Sequence, residues 1–147
     1  MQGVSEMRNW RPLRLSAVAT LILMSIQAWT GDFVNVFLTS AFGTSINGSM
    51  GALFQAILGN GLFLLWHGME GFLVLLAAIG VLVVSFRYHR RSVKIAAVLG
   101  LVFTVIAGLG GLLFVISGFA AGGFSMQMGG AFLGAYAMYF LVLYYSK

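Results

Sequence analysis

From Leu62 to Phe86 the chain carries no Lys, Arg or Asp, and its only ionisable groups are His67 and Glu70. A run of ~25 residues at 1.5 Å rise is long enough to cross the hydrocarbon core of a bilayer with some tilt. Few structures are open to such a segment. In hydrocarbon every backbone amide must find its partner within the segment, which makes the run a helix. An imidazole and a carboxylate are costly in lipid and are normally turned into a bundle or a cavity. Three residues apart, they share one helix face. The segment therefore predicts a polar centre held inside a membrane domain.

The remaining sequence agrees. It is 61% hydrophobic and only 7% charged, with a mean hydropathy of +1.01. Soluble domains carry about 25% charged residues, so this is an integral membrane protein. Its 147 residues suffice for a single domain. The absence of cysteine excludes disulfides, thiolate metal sites and cysteine nucleophiles. The net charge of +5 does not point to nucleic acid, because the cations flank apolar runs. Arg8, Arg11 and Arg14 flank the first run, and Arg87, Arg90, Arg91 and Lys94 flank the second and third. Such clusters act as topology signals and headgroup contacts.

Four spans are expected, at about 13–37, 62–86, 93–116 and 124–145. Pro12 stands where a first helical turn tolerates proline. The leading run is too long for a signal peptide and no small-residue cleavage site follows it, so an uncleaved span is predicted. Residues 39–61 form an outer loop in which the apolar stretch 50–58 is too short to cross, predicting an interfacial or re-entrant helix. Asn47-Gly48-Ser49 matches a glycosylation acceptor, a match that a Gly/Ser-rich loop also produces by chance. Arg87 to Ser92 is a basic connection, 117–123 a small-residue turn, and Tyr139, Tyr144 and Tyr145 are of interfacial type. All of the eight Lys/Arg except Lys147 lie in the leader or around the basic connection, which puts both termini in the cytoplasm of a multi-pass cell-membrane protein. The expected fold is all-α, an antiparallel four-helix transmembrane bundle. Gly130 and Gly134, Ala131 and Ala135, and Ala107 and Gly111 offer small-residue helix contacts.

His67 lies ~5 residues, or ~8 Å, inside the outer end of its helix. Gln27, near the outer end of the first span, and Met126, Gln127 and Met128, at the start of the fourth, fall at the same level, with Trp29 and Trp66 nearby. Imidazole and thioether are residue types that ligate haem iron, and bundles commonly hold cofactors between facing helices. The duller account of His67 is a hydrogen bond to Glu70 or Gln27 that satisfies polar groups in hydrocarbon. Met126 and Met128 read equally well as core filling.

The order of these features resembles one four-helix half of a haem A synthase, of the compact archaeal type. The resemblance rests on Gln27-x-x-x-Gly31 in the first span, a long outer loop, and a second span opening on Asn60 and reaching His67. A basic turn and the sequence Gly110 to Gly118 at the end of the third span complete it. It implies two haem-ligating histidines, near the outer ends of the second and fourth spans. His67 matches the first, whereas the second position falls at Gln127 or Met128. The outer loop also lacks the family's acidic residue and cysteines. What the resemblance then implies is either a b-type haem with His67 and Met128 as axial ligands and Gln27 and Glu70 beside it, or a scaffold that has lost its cofactor.

Two functions follow as expectations. One is haem binding near the outer face, for electron transfer or haem handling. The other is a non-catalytic subunit of a larger membrane complex, such as a respiratory one, with the bilayer and other membrane subunits as partners. A transporter is disfavoured by the few polar groups in the spans and the lack of a proline-broken helix. No Ser-His-acid or zinc spacing supports hydrolysis, and a single His-x-x-Glu does not make a di-iron site.

Overall fold

The computed structural model describes residues 10–41, 62–117, 119 and 121–146, and shows four helices: α1 (Arg11–Ala41), α2 (Leu62–Ser85), α3 (Arg91–Ile116) and α4 (Gly122–Tyr145). Each is long and apolar enough to cross a membrane. Most of the expected outer loop, including Asn47 and the stretch 50–58, lies outside the described residues. The helices are apolar on all sides rather than striped. That suits a span solvated by acyl chains, where no polar face is wanted.

The boundaries differ from the expected ones in ways the local chemistry explains. α1 starts at Arg11, with Pro12 in its first turn, and runs through Thr39 to Ala41. Its 31 residues make ~46 Å of helix, more than the hydrocarbon core alone requires. α3 begins at Arg91, because a basic side chain can sit in a first turn and still reach the headgroups.

The helices form a closed ring in which α1 touches α2 and α4, and α3 touches α2 and α4. The diagonal pairs, α1 with α3 and α2 with α4, do not approach one another among the described residues. Trp10 stacks on Tyr88 at 4.2 Å, and the Arg90 guanidinium donates to the Tyr145 carbonyl at 2.5 Å. The start of α1, the α2–α3 connection and the end of α4 therefore meet at one end, giving an antiparallel up-and-down bundle.

Two seams are tight because glycines let backbones approach. In the α3–α4 seam the Tyr139 ring lies on Gly100, where a Cβ would stand 2.9 Å from it. Phe103 lies on Gly134, where the same construction gives 3.1 Å. Of the expected Gly130/Gly134 pair only Gly134 is used in this way; Gly130 faces open space. Ala131 and Ala135 are buried, as small contact residues should be. The main core joins Leu13, Ala17, Leu21 and Met24 to Val74, Ala78 and Val81, and to Val93, Ala97, Tyr139 and Val142. All of these belong to the basic half of the bundle. At the opposite end Val34 and Leu64 pack with Val115 and Phe119. Phe119 takes a positive φ of 61°, unusual for a bulky residue, and its amide closes back on the Phe114 carbonyl at 3.0 Å.

Candidate functional site

A polar layer lies between these two apolar clusters, in the seam of α1 and α2. Gln27, Thr30 and Gly31 supply one side of it, and Trp66, His67, Glu70 and Gly71 the other. Each set follows the same spacing, a polar residue at i and at i+3 with glycine at i+4. The glycines explain how the layer closes. A Cβ at Gly31 would lie 3.0 Å from His67 Cε1, and a Cβ at Gly71 would lie 3.3 Å from Gln27 Nε2. Each helix thus seats the other's polar side chain on its own glycine.

The hydrogen bonds are short and mutual. Thr30 Oγ1 lies 2.7 Å from Glu70 Oε2 and 3.0 Å from His67 Nδ1. Trp66 Nε1 donates to Glu70 Oε1 at 2.7 Å. Gln27 Nε2 lies 3.1 Å from each ring nitrogen of His67. One assignment of protons makes these contacts a directed chain. The Thr30 hydroxyl has a single proton, and Glu70 Oε2 is the acceptor at the shortest distance. Thr30 Oγ1 then accepts from Nδ1–H of His67, and the Nε2 lone pair accepts from the Gln27 amide. Glu70 is only 6% exposed and Thr30 4%. Gln27 Oε1 is the one buried side-chain oxygen or nitrogen without a partner among the described residues.

The structure therefore brings together three of the residues expected from sequence, His67, Glu70 and Gln27. Met128 is placed elsewhere. Its backbone and sulfur pack against Gly110 and Gly111 of α3, where a Cβ at Gly111 would stand 3.1 Å from Sδ. Met126 is 81% exposed and Gln127 is also exposed. His67 and Met128 thus occupy different seams, on helices that do not approach each other. In this arrangement both ring nitrogens of His67 lie within hydrogen-bond distance of a side chain of α1. The contacts form a hydrogen-bonded clamp between α1 and α2.

Thr30 and Gly71 were not foreseen, and Gly31 was singled out only as part of the Gln27-x-x-x-Gly31 motif. Their signal, Gln27-x-x-Thr30-Gly31 against His67-x-x-Glu70-Gly71, is present in the sequence. It emerges only when the two helices are set antiparallel and side by side.

The other buried hydroxyls do not extend this layer across the bundle. Thr20, Ser85 and Thr104 donate to carbonyls of their own helices, at 2.8, 2.6 and 2.8 Å. Ser25 and Tyr136 pair across α1 and α4 at 2.9 Å. Comparison with protein-family models, curated proteins and solved structures finds no match for this chain.

Proposed function

We propose that this chain is a non-catalytic subunit of a membrane assembly, with the His67 layer clamping α1 to α2. Both termini and the basic connection face the cytoplasm in this reading, and the outward helix surfaces meet lipid and neighbouring subunits. The observation that carries it is the saturation of the layer. Both nitrogens of His67 and both carboxylate oxygens of Glu70 already hold partners within one helix pair. A group poised for a ligand or for chemistry keeps an open position, as catalytic zinc sites do. Lateral assembly is supported by Gln127, an amide on the outward surface of α4 flanked by the open positions Gly123 and Gly130. Side-chain amides in spans commonly bond a neighbouring helix.

Binding of a b-type haem by His67 and Met128 is the second reading, and one observation favours it. The unpaired Gln27 Oε1 marks the amide covering His67 as the least satisfied part of the layer. Its displacement would free a ring nitrogen of His67.

A visible spectrum of the protein purified in mild detergent, together with the composition of the purified complex, separates the two. A colourless protein that brings stoichiometric membrane partners supports the subunit. A Soret band that disappears in His67→Ala supports haem.

A further inference from the structure

The basic end of the bundle carries a second site, independent of the His67 layer. Arg11 and Arg14 stand on the first turns of α1, Arg87 and Arg90 in the connection, and Arg91 and Lys94 on the first turn of α3. The Trp10–Tyr88 stack fixes the start of α1 against the connection. Arg90 is held by the Tyr145 carbonyl, with its guanidinium 5.6 Å from the centre of the Tyr145 ring. Lys94 lies 5.7 Å from the centre of the Phe86 ring. Six cations from three segments are thereby gathered at one level. The described carboxylates, Asp32 and Glu70, both belong to the opposite half of the bundle.

We propose that this end binds the phosphate headgroups of acidic membrane lipids, with exposed Arg14, Arg87 and Arg91 as the principal donors. Three points favour a lipid over a soluble anion. The cations stand where the apolar helices end, at the depth of the headgroup layer. The aromatic rings beside them, Trp10, Tyr88 and Tyr145, are of the kind that settles at that depth. Phosphate, moreover, is the group the planar guanidinium matches with two parallel hydrogen bonds. A mere topology signal needs positive charge alone. Here the segments that carry the donors are fixed to one another, by the Trp10–Tyr88 stack and by Arg90 on the Tyr145 carbonyl, which sets their spacing before a ligand arrives.

The test uses the whole chain in detergent, titrated with phosphatidylglycerol or phosphatidylcholine. Retained lipid is counted by native mass spectrometry and thermal stability is followed in parallel. Phosphatidylglycerol is expected to be retained in preference and to raise the melting temperature. Arg87→Gln/Arg91→Gln should weaken that retention roughly tenfold, and Arg87→Lys/Arg91→Lys should restore part of it. The exposed arginines carry no core packing, and unchanged far-UV circular dichroism verifies the fold. Equal retention of the two lipids, or undiminished retention in the Gln variant, overturns the proposal. Inorganic phosphate that stabilises the protein as well as phosphatidylglycerol does would reassign the site to a soluble anion and overturn it too.

Discussion

Thr30 is the residue on which the polar layer turns. Its hydroxyl stands between His67 Nδ1 and Glu70 Oε2 and bonds to both. Thr30→Val keeps the shape and removes the hydroxyl, leaving two buried partners unsatisfied. It is expected to cost about 1–2 kcal/mol in unfolding measured in detergent, whereas Thr30→Ser stays within about 0.5 kcal/mol of wild type. The glycines give a graded prediction. Gly31→Ala drives a methyl to 3.0 Å from a ring seated against the helix, while Gly71→Ala meets only the end of the Gln27 side chain, at 3.3 Å. Gly31→Ala should therefore destabilise more than Gly71→Ala, and the difference should shrink when His67 is replaced by Ala. His67, Glu70 and Gln27 were legible in the sequence because polar groups stand out in an apolar run. Thr30, Gly71 and the seating role of Gly31 were not, since such residues are common in spans and only the partner helix gives them a role.

At the scale of the helices, four helices long and apolar enough to cross a membrane were legible in length and composition, and their ends fall within a few residues of expectation. The contact faces were not legible, because a helix apolar on every side gives periodicity nothing to mark. Met128 illustrates the consequence: its level near the start of α4 could be read, but not the seam it packs into. The glycines carry that information instead. Gly100 lies under the buried Tyr139, so Gly100→Ala should loosen the α3–α4 pair by roughly 1–3 kcal/mol, since the ring cannot withdraw from the core. Tyr139→Phe loses only a 3.4 Å contact with Thr104 and should cost less than about 1 kcal/mol in the same unfolding assay.

For the whole molecule, the antiparallel ring follows from contacts at the basic end, while its orientation rests on charge alone. The natural absence of cysteine makes that orientation directly measurable. Cysteine placed at His89, in the basic connection, should react with an impermeant maleimide only after the membrane is opened. Cysteine at Gly122, at the start of α4, should react from outside in intact cells. Equal reactivity of both from outside would remove the proposed topology. The small number of interhelical polar contacts also explains why function was less legible than fold. Length and apolarity dictate spans, but a single polar layer can serve as clamp or as ligand set, and only its partners distinguish the two.

The clamp is tested most directly by a double-mutant cycle on His67→Ala and Glu70→Gln, read as unfolding free energy in detergent. The two single variants should be destabilised to a similar degree, and the pair by less than their sum, because each breaks the same hydrogen-bonded chain. A severe loss in His67→Ala beside a near-neutral, additive Glu70→Gln would contradict the clamp and return His67 to the role of a ligand.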